Sequence, residues 1–116
     1  MPTLRNLTTG KIVARDVARA EGFVVRILGL IPWVRINPEQ GLWFDRCMAV
    51  HTLGMRDRID VIFLDKSHRV LRVARSVPQH RLAIACPGAS AVVELGEASA
   101  QGRDLLAGDE LVLEER

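Results

Sequence analysis

The sequence predicts an α+β domain built mainly on an antiparallel β-sheet, curled or partly closed into a barrel, with one or two short helices. Three observations carry that expectation. Short apolar runs recur along the chain, separated by Gly, Pro, Asn and Asp. Only two segments show helix-like spacing or composition, too few to cover both faces of an open sheet. Aromatic residues make up 4% of the chain, so a core must come from Val, Leu, Ile and Ala.

The elements follow in order. Thr3–Asn6 and Ile12–Ala14 read as a hairpin around Thr8-Thr9-Gly10-Lys11. Asp16 suits a helix cap, and Val17, Ala20, Val24, Ile27 and Leu28 recur at helical spacing before Gly29 and Pro32 stop the run. Trp33–Gln40 is a loop around Asn37-Pro38, and Gly41–Phe44 is a short strand. Arg46–Arg58 lacks a period and reads as an irregular crossover. Ile59–Leu64 is the strongest strand, and after Asp65-Lys66-Ser67-His68 the chain returns along Arg69–Val77, a hairpin expected at the centre of the sheet. Pro78-Gln79-His80 ends it. Leu82–Ala85 is a weak apolar segment stopped by Pro87-Gly88, and Ala91–Leu95 is another strand. Ser99–Ala107 is the second short helix, Gly108-Asp109 a turn, and Glu110–Glu114 the last strand.

Length fits a single domain over residues 1–116. The hydrophobic share of 48% excludes global disorder. The net charge of +2 and pI near 8.9 are too mild, and the 14 Arg too evenly mixed with Asp and Glu, to mark a nucleic-acid surface. The longest near-apolar run, residues 23–34, is broken by Arg26 and Pro32 and is too short to span a bilayer. Residues 1–11 have no apolar signal core, so the expected location is cytoplasmic and Cys47 and Cys86 are expected to be reduced thiols.

One ordered set of residues looks familiar. Gly41-Leu42, Cys47, His51-Thr52-Leu53-Gly54-Met55 and Ile59-Asp60-Val61-Ile62-Phe63-Leu64-Asp65 are followed by Val70-Leu71, Pro78, Glu94-Leu95 and Gly108-Asp109. Together they resemble the family called domain of unknown function 192, over roughly Val17 to Leu113. The resemblance implies a β-rich fold with a short helix ahead of the sheet, and no particular reaction. Many members of that family carry an export signal, which this chain is not expected to have. Other branches place a Trp-Met-Lys-Asn-Thr type segment at residues 51–55. His68 stands where the family pattern has Gly in the hairpin turn, and Ala98 stands near another such Gly.

Function is expected between residues 47 and 60, where polar and soft side chains gather in one irregular segment: Cys47, His51, Thr52, Met55, Arg56 and Asp60. The favoured reading is a small non-enzymatic binding or accessory protein, because no complete acid–base set is visible. Its partner is an unknown small ligand or protein, with no cofactor. Cys47, His51 and Met55 are four residues apart in turn and have the ligand types of a soft Cu(I) site. Alternatively, Cys47 would be a thiol nucleophile activated by His51 and oriented by Asp60. The plain reading of the same residues is core packing for the sulfur groups and a backbone bond for His51. Trp33 and Trp43 read as core edges, and His68 and His80 as loop residues. Glu94, in Val92-Val93-Glu94-Leu95, must find an Arg or backbone N–H groups if it faces inward.

Overall fold

The computed structural model describes residues 2–20, 37–50, 58–78, 84–98 and 102–115. Ten strands run through them: β1 (Thr3–Asn6), β2 (Ile12–Ala14), β3 (Asp16–Ala20), β4 (Gln40–Asp45), β5 (Ala49–Val50), β6 (Ile59–Leu64), β7 (Val70–Val77), β8 (Ile84–Ala85), β9 (Ala91–Gly96) and β10 (Leu111–Glu114). They form a five-stranded sheet in the order β3-β4-β9-β6-β7, a three-stranded sheet β10-β1-β2, and the ribbon β5-β8.

Alternation along the strands explains the layers. Trp43, Ile62, Leu64, Val93 and Leu95 point to one face of the large sheet and pack against Leu4, Ala14, Leu111 and Leu113 of the small one. The other face carries Phe44, Ile59, Val61, Phe63 and Val92, packed with Cys47 and Ile84 from around the ribbon. β6 and β9 are buried along their whole length. Both faces being covered is why the two strands are apolar throughout except at Asp60 and Glu94.

The expected fold class needs correction. No helix occurs among the described residues, and the sheet is open, with β3 and β7 as separate edges. Among the described residues the architecture is therefore layered β, neither α+β nor a closed barrel. The helix expected from Asp16, also implied ahead of the sheet by the family resemblance, is a strand as far as Ala20; its remainder lies outside the described residues. Asp16–Ala20 pairs residue by residue with Gln40–Phe44, and it does so in parallel, so the sheet is mixed. Arg19 anchors this edge. It reaches Asp45 and Glu115 and lies 5.7 Å from the Trp43 ring centre. Burial opposes ionisation of Asp45, but bonds from Trp43 Nε1 and Arg19 outweigh it and hold the carboxyl below its ordinary value. Tertiary pairing thus overrides the helical pattern here. Of the helix expected at Ser99–Ala107, residues 102–107 are described and are not helical, with Arg75 bonding the Leu105 carbonyl there; residues 99–101 lie outside the described residues.

The β6–β7 hairpin forms as expected, yet β9 occupies the centre of the sheet and β7 an edge. The hairpin of β1 and β2 and the strands β4, β9 and β10 also match their sequence signals within a residue or so.

Candidate functional site on the Glu94 face

Glu94 sits in the central strand, in register with Leu42 on one side and Val61 on the other. It points to the face of Val92, two residues away. The next row on this face is Phe44, Val92 and Phe63. Two residues beyond Glu94, Gly96 contributes no side chain opposite Ile59. Glu94 is only 3% exposed; Leu42 beside it is half-buried, and Val61 and Ile59 on the other side are fully buried.

Among the described residues no Arg, Lys or backbone N–H bonds the Glu94 carboxyl. The pairing that an inward-facing Glu was expected to need is missing there. Burial alone pushes its pKa up to about 8. A carboxyl in such surroundings is held mostly neutral at pH 7, and a neutral carboxyl is a hydrogen-bond donor as well as an acceptor.

Cys47 belongs to the same side of the sheet. It is 4% exposed, packs with the Phe44–Val92 cluster, and its thiol donates to the Ala49 carbonyl at 3.0 Å. Its backbone N–H meets the Ser90 carbonyl, and the Cys86 N–H meets Met48, which stitches the β5–β8 ribbon over this face. His51, Thr52, Met55 and Arg56 lie outside the described residues.

Asp60 points to the opposite face, since Ile59 and Val61 on either side of it belong to the Cys47 cluster. One carboxylate oxygen accepts the Ser76 N–H at 2.9 Å. The other accepts the Ala98 N–H and Arg103 Nε, each at 3.1 Å. Asp60 and Arg103 side chains are 2% and 7% exposed, so this is a buried ion pair. Arg103 also donates to the carbonyls of Val13, Pro38 and Gly96. One guanidinium therefore ties the end of β9 to β2, to the turn before β4 and to β6. Burial lowers the Arg103 pKa from its ordinary value, and Asp60 opposes that shift. Arg58, two residues before Asp60, donates to the Ser76 carbonyl. Nothing near Arg103 in the sequence announces its role, because Asp60 lies 43 residues away.

A cleft of about 310 Å3 opens above Arg103, lined also by Lys11, Ile12, Pro38, Glu39 and Asp104. Its charges already have partners: Lys11 with Asp104 at 2.7 Å, Glu39 with Arg15 at 3.7 Å, and Arg103 with Asp60. Glu94 is different in having no bond from its carboxyl to a described residue.

With this geometry in place, comparison with known proteins gives the lineage. The profile of the DUF192 family, described as an uncharacterized ACR, matches residues 5–113. The chain belongs to the DUF192 family. Its match begins ahead of Val17, so the small sheet is part of the DUF192 domain too. Two solved structures share the fold. One is a protein of unknown function from Novosphingobium aromaticivorans DSM 12444, with TM-score 0.78 and 22% identity over 97% of this chain and 84% of that one. The other is a candidate transcription regulator from Sinorhizobium meliloti 1021, with TM-score 0.79 and 18% identity over 97% and 91%. No curated protein matches. Among the described residues, no helix is long and apolar enough to cross a membrane.

Proposed function

We propose that this DUF192 domain is a small non-enzymatic binding protein whose site lies on the Glu94 face of the large sheet, bordered by the segment from Cys47 to Arg58. The observation that carries this reading is the buried Glu94 carboxyl, bonded to no described residue, in the central strand. Burial disfavours the charged form of this carboxyl, and a ligand that bonds Glu94 would give it a partner, which gives the site a reason to bind. Cys47, His51, Thr52, Met55 and Arg56 are the proposed border of the site. Asp60 supports it from the far face, by holding β6 against Ser76, Ala98 and Arg103.

Binding is favoured over thiol chemistry by one geometric fact. A Cys47–His51–Asp60 relay needs all three side chains together, and Cys47 and Asp60 point to opposite faces of the sheet.

Native mass spectrometry of the full chain, purified anaerobically from its own host, tests the reading beside the denatured mass. The expected result is an added mass in the native spectrum that is lost in Glu94→Leu. A bare native mass, unchanged after adding the host's small-molecule extract, would contradict it.

A further inference from the structure

We infer that the cleft above Arg103 is a second binding site, which takes a small zwitterion with an apolar side chain, of the kind and size of a free aliphatic α-amino acid. This goes beyond the Glu94 reading and does not depend on it. The cleft opens over the Arg103 guanidinium that holds Asp60, and Asp60 and Glu94 point to opposite faces of the large sheet.

Four separate segments build the cleft. Lys11 and Ile12 come from the start of β2, Glu39 from the turn before β4, Ala98 from beyond β9, and Gly102 to Asp104 from the turns ahead of β10. The buried Arg103 guanidinium fixes them to one another, through the carbonyls of Val13, Pro38 and Gly96 and through Asp60. A ligand therefore meets walls already in place, and ordering them takes little of its binding energy. The volume of about 310 Å3 stands at the small end of ligand pockets, roughly 300–1,000 Å3, which suits a molecule of amino-acid size.

Charge decides the polar end. Two cations, Lys11 and Arg103, and two carboxylates, Glu39 and Asp104, line the cleft, so its lining is neutral in sum. Each has bonding capacity that no described residue takes up. Lys11 Nζ gives one N–H to Asp104 Oδ2, which leaves its other N–H groups and Oδ1. Arg103 Nη2 gives one N–H to the Gly96 carbonyl and carries a second. Glu39 Oε2 accepts the Arg15 N–H, which leaves Oε1. A lone anion would meet Glu39 and Asp104, and a lone cation would meet Lys11 and Arg103. A zwitterion sets its carboxylate on the two cations and its ammonium on the two carboxylates. The present pairs of Lys11 with Asp104 and of Arg15 with Glu39 do not block this. All four side chains are exposed, and exposed ion pairs contribute little.

Ile12 decides the other end. It is a large apolar side chain left exposed, and it lines the cleft with Val13, Pro38 and Ala98. An aliphatic side chain laid on that wall removes both surfaces from water.

The experiment titrates the 15N-labelled full chain with three probes of one shape: L-leucine, isocaproate, which lacks the ammonium, and isoamylamine, which lacks the carboxylate. Leucine at millimolar concentration is expected to saturate, shifting the amide resonances of Lys11, Ile12, Glu39, Gly102 and Asp104 and leaving those of Leu42 and Val92–Leu95 in place. Each truncated probe should bind about tenfold more weakly, because one set of charge-assisted bonds is missing. Glu39→Gln should weaken leucine about fivefold and isocaproate not at all, and Lys11→Met should weaken leucine by as much and isoamylamine not at all. Both side chains are exposed, so neither variant disturbs the core. Isocaproate or isoamylamine binding as tightly as leucine would overturn the inference in favour of a simple anion or cation site. Leucine binding indifferent to both variants, leucine shifts confined to the Glu94 face, or no saturable shift at all would overturn it outright.

Discussion

Glu94 makes a prediction that needs no ligand. Its pKa is about 8 in the folded chain, against an ordinary 4.5. Below about pH 4.5 both folded and unfolded chains hold the proton, and the group is neutral to stability. From there to about 8 the folded chain binds more protons, so stability falls as pH rises, by on the order of 1 kcal/mol per pH unit. Above 8 the loss levels off. Glu94→Gln removes this dependence, so urea midpoints of wild type and variant should diverge steadily between about pH 5 and pH 8, with the variant more stable at the upper end. Parallel profiles would mean that Glu94 is ionised with a partner. Asp60 predicts the opposite kind of effect. Asp60→Ala strands the Arg103 guanidinium and two backbone N–H groups in the interior, and should cost about 3–5 kcal/mol in the urea midpoint extrapolated to water. A loss under 1 kcal/mol would show that Arg103 finds other acceptors. The sequence makes the importance of Glu94 legible, because a carboxylate among Val92, Val93 and Leu95 breaks an apolar run. Arg103 was not legible: its chemistry depends on carbonyls from three distant segments, and a side chain aimed at backbone leaves no mark in those segments' side chains.

At the scale of elements, the site depends on how closely β4 and β9 approach. A Cβ placed on Gly41 would collide with the Glu94 carbonyl oxygen and Leu95 Cδ2. Backbone cannot yield as a flexible side-chain end can, so Gly41→Ala should force the strands apart and destabilise the chain by about 1–3 kcal/mol. It should also move the amide resonances of Leu42 and Glu94 more than those of β10, and an even spread of shifts would contradict this account. Strands with an apolar run bounded by turn residues were legible: Ile59–Leu64 and Ala91–Leu95 announce themselves. The hairpin turn was legible as well, though His68 reaches it in an unusual way. Its φ is 63°, a value that favours glycine, and its ring packs edge-on to Trp43 with centres 5.0 Å apart. The side-chain contact accounts for a residue other than Gly at that position. Asp16–Ala20 was misread because Asp, Val and Ala suit a helix start and an edge strand equally. What decides between them is Gln40–Phe44, more than twenty residues on, offering a parallel partner.

For the whole molecule, family membership and layering were recoverable to different degrees. The ordered motifs identify DUF192 before any coordinates are considered, since residue order survives where pairwise identity to solved relatives is 22% or 18%. The closure of the sheet was not recoverable. A small set of strands without helices meets its burial requirement by curling or by stacking, and the sequence pattern is the same for both. Here it is met by stacking: the small sheet covers the Trp43 face, and the ribbon packs on the Phe44 face. That arrangement leaves Glu94 in the middle strand of the middle layer, with its carboxyl unmatched by any described group. The most direct test of this central claim is a 13C titration of the Glu94 carboxyl in the intact, ligand-free chain, assigned with Glu94→Gln. The account predicts a single midpoint near 8. A midpoint in the ordinary carboxylate range would contradict it, because it would place a hydrogen-bonding or charged partner on Glu94 and leave the proposed site without its donor.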